Sequence, residues 1–233
     1  MSNQGSGPAN FGDYDPRAWL ERSGLLLLKH GQFPASIECL HRLVSIEPEY
    51  SMAWYGLSTA IYSASNAARD LGLLKQAVAV LKHCLRVDSA NRHADRVLKA
   101  ISTQTPLSDS DVKAIEASAS FQLPVDLQFS KETFAESLSV IPTPGERMQF
   151  VMWMGTFEDE SSRELLVAAL SDSDDGVVRS TLKRLPSDAD DRVRQALQHM
   201  FESGVYEQYQ PYFSMATKRL DLPFPETSPW DQD

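Results

Sequence analysis

Two stretches decide how this chain folds: Ser51-Met-Ala-Trp-Tyr-Gly-Leu-Ser-Thr-Ala-Ile-Tyr-Ser63, and Leu74-Lys-Gln-Ala-Val-Ala-Val-Leu-Lys-His-Cys-Leu-Arg-Val87. Trp54, Leu57 and Ile61 in the first, and Ala77, Val78, Leu81, Cys84 and Leu85 in the second, recur at steps of three and four. That spacing puts them on one face of a helix rather than one face of a strand. The same pattern stands one unit upstream. Asp15-Pro16 is a helix start, because Asp accepts hydrogen bonds from first-turn amides and Pro loses none there. A helix follows from Trp19 to Lys29, with apolar or small residues at 20, 24, 27 and 28, and Gly31 supplies the left-handed residue that ends it. A second runs from Pro34 to Ile46 on Ile37, Leu40, Leu43 and Val44, and ends before Pro48. These are repeated helical hairpins.

The repeat resembles the tetratricopeptide unit, whose first helix carries Trp-x2-Leu-Gly-x2-Tyr and whose second carries Ala-x3-Phe followed by Pro. One copy reads Leu20-x2-Ser23-Gly24-x2-Leu27, Gly31-Gln32-Phe33, Ser36-x3-Leu40, Pro48; the next reads Trp54-x2-Leu57-Ser58-x2-Ile61, Gly72, Ala77-x3-Leu81, Asp88-Ser89. Small residues such as Gly24, Ser58 and Ala77 allow paired helices to approach closely. The second copy is seven residues longer, near 65–71, which predicts a longer hairpin, with a longer loop as the alternative. Arg92 to Ile101 is a capping helix on Ala94, Val97, Leu98 and Ile101, of the kind stacked repeats need.

From Ser102 to Ser110 the composition is that of a linker, after which a short helix is expected from Asp109, an irregular stretch over 121–130, and a helix from Ser130 to Val140. Helices are then expected over Arg147 to Phe157, Ser161 to Leu170, Gly176 to Leu185, Asp190 to Glu202 and Gln208 to Leu220. Acidic clusters precede several of them, where carboxylates favour the positive helix end by roughly 0.3–1 kcal/mol each. The strings Ser171-Asp-Ser-Asp-Asp-Gly-Val-Val-Arg179 and Ser187-Asp-Ala-Asp-Asp-Arg-Val-Arg194 resemble the Asp…Val-Arg junction of HEAT repeats, although they fall about one helix apart rather than two. The expected architecture is all-α: residues 15–103 as tetratricopeptide-like hairpins with a cap, 104–111 as a linker, and 112–220 as an acidic HEAT-like helical array. Residues 1–14 and 221–233 are disordered ends by composition.

Composition narrows the function. The chain has 233 residues with 32 acidic and 22 basic side chains, a formal charge of −10. That excess disfavours general nucleic-acid or anionic-membrane binding, which relies on Lys and Arg neutralising phosphate. It is uneven: 11 basic and 9 acidic groups in residues 1–107, against 11 and 23 in 108–233. Two cysteines, Cys39 and Cys84, make no disulfide framework, and no signal peptide or membrane-length apolar run is present, so a cytoplasmic setting is expected.

No phosphate-binding glycine loop, nucleophile elbow or metal-ligand pattern at helical spacing occurs, and none of the five histidines is followed by Glu, so neither a catalytic residue nor a cofactor is assigned. His83-Cys84 with His93 is the nearest approach to a metal-ligand set, but neighbours on a helix diverge by about 100°. The Asp172 loop misses the calcium register, with Gly fifth rather than sixth and Lys183 twelfth where Glu is needed.

What the tetratricopeptide resemblance implies is a partner groove lined by the first helix of each hairpin. Its positions here are Ala18, Glu21, Arg22, Leu25, Leu28 and Lys29; Met52, Tyr55, Thr59, Tyr62 and Ser63; and His93 and Arg96. Glu21, Leu25, Tyr55 and Thr59 replace most of the Lys/Asn/Lys/Arg set with which members of that family grip C-terminal carboxylates. Tyr55 and Tyr62, seven apart on one helix face, are expected anchors, the alternative being that they pack against the inserted residues or the next domain. Phe224 and Trp230, in a Pro-rich acidic tail, read either as part of a disordered end or as a docking motif. The expected function is a non-catalytic adaptor or scaffold for protein or peptide partners. The rivals are a self-associating assembly factor, which makes a homo-oligomer, and an enzyme or an enzyme's regulatory subunit with a site between the domains.

Overall fold

The computed structural model describes residues 15–104, 133–157, 159–185 and 190–222. Residues 1–14 and 223–233, most of the linker, the stretch expected to start a short helix at Asp109, the 121–130 stretch and the docking residues Phe224 and Trp230 lie outside them. Asp221 and Leu222, expected to belong to a disordered end, are ordered: the Leu222 amide donates to the Thr217 carbonyl at 3.0 Å and its side chain packs on the core. Among the described residues the chain is all-helical, without a strand. Five helices make the first part: α1 (Pro16–Lys29), α2 (Phe33–Ile46), α3 (Ser51–Ala68), α4 (Leu71–Val87) and α5 (Arg92–Gln104).

Local chemistry sets their limits as the sequence predicts. The Asp15 carboxylate accepts from the Arg17 amide at 3.0 Å, with Pro16 in the first turn. At the other end Gly31, at φ +73°, lets the Gln32 amide close back on the Leu27 carbonyl at 2.9 Å. The extra residues of the second hairpin lengthen both its helices: α3 has 18 residues against 14 in α1, and α4 has 17 against 14 in α2. Arg69, at φ 54°, makes the turn, and Asp70 caps α4 through the Gly72 and Leu73 amides.

Each of α1 to α5 packs on the next, and α1 also touches α3. The wedge between them is Leu40 of α2, 1% exposed. A Cβ on Gly24 of α1 would stand 2.6 Å from Leu40 Cγ, and one on Gly56 of α3 would stand 3.3 Å from Leu40 Cδ2. Both glycines therefore make room for one side chain. Ser36 reinforces the contact, its hydroxyl donating to the Gly24 carbonyl at 2.7 Å.

The second part comprises α6 (Thr133–Val140), α7 (Pro144–Met154), α8 (Glu160–Ala169), α9 (Asp175–Arg184), α10 (Asp191–Glu202), a 3-10 turn (Val205–Tyr209) and α11 (Gln210–Arg219). Three boundaries differ from expectation, the first being that α7 ends at Met154 rather than Phe157, with Gly155 as its C-cap. Helix α7 begins three residues before Arg147, because Thr143 caps the Glu146 amide and Pro144 sits in the first turn instead of breaking the chain. The helix expected over 208–220 is split into the 3-10 turn and α11, with Gly204 at φ +73° before the turn and Pro211 opening α11. The acidic clusters cap as anticipated at Asp174, on the Gly176 and Val177 amides, and at Asp190, on those of Arg192 and Val193. Asp172 does something else. It holds Arg147 of α7 through two hydrogen bonds, at 2.8 and 3.0 Å, and both side chains are nearly buried.

Helices α6, α8 and α10 pack one on the next, as do α7, α9 and α11. The attachment point of this second set is not legible in the sequence. Among the described residues its main packing is not on α5: α7 packs on α1 and α6 on α2, on the other hairpin. At that junction Arg42 reaches Glu38 and Asp159, each at 2.6 Å, with its guanidinium 5.5 Å from the centre of the Phe134 ring. Lys29 pairs with Glu146 at 2.7 Å, and Cys39 Sγ lies 3.9 Å from Met154 Sδ. One buried apolar cluster runs through both parts.

Candidate functional site

The surface the sequence singles out is one face of α1 and α3 with the flank of α5. Helix α3 turns Ala53, Trp54, Leu57, Ala60 and Ile61 inward. Its opposite face presents Met52, Tyr55, Thr59 and Tyr62, and over its 18 residues α3 carries no charged side chain. A helix facing only solvent ordinarily places charges on its outer side. Met52 is 40% exposed and Leu25 of α1 is 48% exposed, both large apolar groups left open to water.

The other predicted residues are placed as follows. Tyr55 is half-buried, its ring 5.6 Å from His93 of α5, and its backbone carbonyl accepts from the Thr59 hydroxyl at 2.9 Å. Tyr62 and Leu28 are half-buried against the core. Arg96 is exposed on α5. Glu21 is engaged by the Tyr50 hydroxyl at 3.0 Å. Burial, with the Glu21 carboxylate second, raises the pKa of that phenol, so Tyr50 donates at neutral pH. Lys29 departs from the set, since its ammonium is directed to Glu146 and serves the junction with α7.

Beside the N-terminal end of α1 lies an open cleft of about 410 Å³, lined by Asp15, Arg17, Ala18, Glu21, Glu47, Glu49 and Tyr50. Arg17 is its central cation, 3.2 Å from both Asp15 and Glu47. Sequence reasoning missed Tyr50, Glu47 and Glu49 because they sit in the turn before α3, outside any helical period. The signal that could have found them is Glu47-Pro48-Glu49-Tyr50 itself, a proline turn rich in polar side chains.

The histidines and cysteines have structural surroundings. His83 stacks edge-on against Trp54 with centroids 4.3 Å apart, and the Trp54 indole N–H donates to the Pro48 carbonyl at 2.7 Å. Cys84 donates to the Ser51 carbonyl at 3.1 Å, and burial pushes its thiol up to about 11, with Asp88 adding to the shift. Burial raises the Cys39 thiol further still. Both are held as thiols, which are poor nucleophiles and poor metal ligands. Among the described residues no group of three or more His, Cys, Asp or Glu is placed to hold a metal ion, and no helix is long and apolar enough to cross a membrane. No protein-family model, no curated protein and no solved structure matches this chain.

Proposed function

We propose that the chain is a non-catalytic, repeat-type adaptor that binds a protein or peptide partner on the face formed by α1, α3 and α5. The observation that carries this reading is the uncharged outer face of α3, with Met52 open and Tyr55 and Tyr62 half-buried beside exposed Leu25. Tyrosines held in this way offer a flat apolar surface with a polar edge and have little rotamer freedom to lose on binding. The tetratricopeptide resemblance is supported by the close packing at its small motif positions, Gly24, where a Cβ would stand 2.6 Å from Leu40 Cγ, and the fully buried Ser58. The reading of 133–222 as a HEAT-like array is supported by the alternate stacking of α6, α8, α10 and of α7, α9, α11. An acidic second surface for another partner belongs to the same proposal, as does a reducing compartment such as the cytoplasm, which suits two buried thiols.

The test is affinity capture from the native cell with wild type and a Tyr55→Ala/Tyr62→Ala variant whose circular dichroism and unfolding show it folded. A partner retained by wild type and lost by the variant is the expected result. Identical captures with both proteins refute the assignment of the face.

A further inference from the structure

The face just described has one polarised wall. Outward from α5 project Arg92, His93, Arg96 and Lys99, all exposed. Lys99 is paired with Asp95 at 2.7 Å, but neither Arg92 nor Arg96 has a carboxylate partner among the described residues. Two uncommitted guanidinium groups therefore stand beside an uncharged strip of Met52, Tyr55 and Tyr62. This pairing fits a segment that combines carboxylates with apolar or aromatic groups and cannot fold into a helix of its own.

The chain contains such a segment. Residues 223–233, Pro-Phe-Pro-Glu-Thr-Ser-Pro-Trp-Asp-Gln-Asp, hold three carboxylates, no basic group, two aromatics and three prolines. Proline-rich segments dock into aromatic-lined grooves because their extended form loses little entropy on binding. Seven residues of helix separate Tyr55 from Tyr62 by about 10.5 Å, whereas six residues in polyproline form would separate Phe224 from Trp230 by about 19 Å. One aromatic, Trp230 next to Asp231, is therefore the anchor that Tyr55 can take beside the α5 cations.

The fold decides which copy supplies it. The last described helix, α11, packs on α9, α9 on α7, and α7 on α1, while α5 packs on α4 beyond α3. The acidic segment therefore departs from the end of the stack remote from the α5 cations. Resting on the partner-groove reading, we propose that residues 223–233 of one copy dock into the α1/α3/α5 groove of a second copy, with Trp230 against Tyr55 and the carboxylates on Arg92 and Arg96. The contact is heterologous, head to tail, and so propagates from copy to copy instead of closing as a symmetric dimer.

Complementation tests this with full-length chains. One variant, Arg92→Glu/Arg96→Glu, has a damaged groove and an intact tail; the other, Phe224→Ala/Trp230→Ala, has the reverse. The first pair lies on an exposed helix face and the second outside the described helices, and circular dichroism checks both folds. Analytical ultracentrifugation should show wild type self-associating with rising concentration, and less so as NaCl screens the charges. Each variant alone should associate at least roughly tenfold more weakly, the scale of two exposed charge pairs reversed. An equimolar mixture should recover a one-to-one complex and stop there, since only one intact groove and one intact tail remain.

A wild type that is monomeric at every concentration, or variants that associate like wild type, overturns the proposal. So does a mixture that stays monomeric. If self-association is absent while the Tyr55→Ala/Tyr62→Ala variant still loses a captured partner, the groove reading stands and only the tail as its occupant is refuted.

Discussion

Replacing Gly24 with Ala tests the packing on which the α1/α3 face depends. In an exposed helix interior this substitution stabilises by about 0.8–1 kcal/mol, because Ala loses less backbone entropy. At Gly24 the new Cβ meets three Leu40 atoms, at 2.6, 3.0 and 3.3 Å. The nearest is the branch carbon Cγ, not a flexible end, so relief requires the whole side chain to move. It has nowhere to go: Leu40 is 1% exposed, and from the other side the Cβ position of Gly56 already lies 3.3 Å from its Cδ2. Overpacking of a filled core costs about 1–3 kcal/mol. Set against the propensity gain, Gly24→Ala should destabilise by about 1 kcal/mol. Gly145→Ala is the internal control, since nothing lies within 4 Å of its Cβ position in the first turn of α7, and it should stabilise by up to about 1 kcal/mol. Urea unfolding followed by far-UV circular dichroism reads both, and the roughly 2 kcal/mol separation exceeds the error of a midpoint comparison. Leu40→Ala should cost less in the Gly24→Ala background than alone, because the added methyl relieves part of the cavity. A Gly24→Ala protein as stable as the Gly145→Ala protein would refute the wedge.

Two further perturbations probe groups outside the proposed groove. Asp172→Ala strands Arg147, whose guanidinium is otherwise satisfied by Asp172 and the Ile141 and Pro142 carbonyls, and should cost about 3–5 kcal/mol; Arg147→Met/Asp172→Ala should be milder than Asp172→Ala in the same unfolding assay, and equal losses would contradict the ion-pair account. Burial lowers the pKa of His41 and of His83, so their neutral forms favour the fold: that stability is present above the unfolded value of about 6.5 and is lost as pH falls through it. His83→Gln should therefore flatten the decline in unfolding free energy between about pH 7 and 5, whereas Glu146, held below the usual carboxylate range by hydrogen bonds from Lys29 and Thr143, acts in the more acid window; a decline in the variant as steep as in wild type would contradict the role of His83.

The helices, their caps and the inward residues were legible because they depend on short-range chemistry. Asp15-Pro16, Gly31, Asp174 and Asp190 act on amides or dihedral angles within a few residues, and the steps among Trp54, Leu57 and Ile61 record which side of a helix is apolar. Tyr55 and Tyr62, seven apart on α3, could be placed on one face for the same reason, whereas Leu25 of α1 was grouped with them only through the tetratricopeptide resemblance. What the sequence alone could not determine is long-range. Arg42 meets Asp159, and Lys29 meets Glu146, across 117 positions of chain, and nothing in the period of either segment encodes the other. Joining the second set of helices to α1 and α2 drew Lys29 into the junction, and no described helix of that set packs over the exposed Arg92 and Arg96. Helical periodicity specifies which faces must be buried, but several apolar faces compete for each partner. Shape and charge complementarity in the folded state choose among them, and only the tertiary structure records that choice.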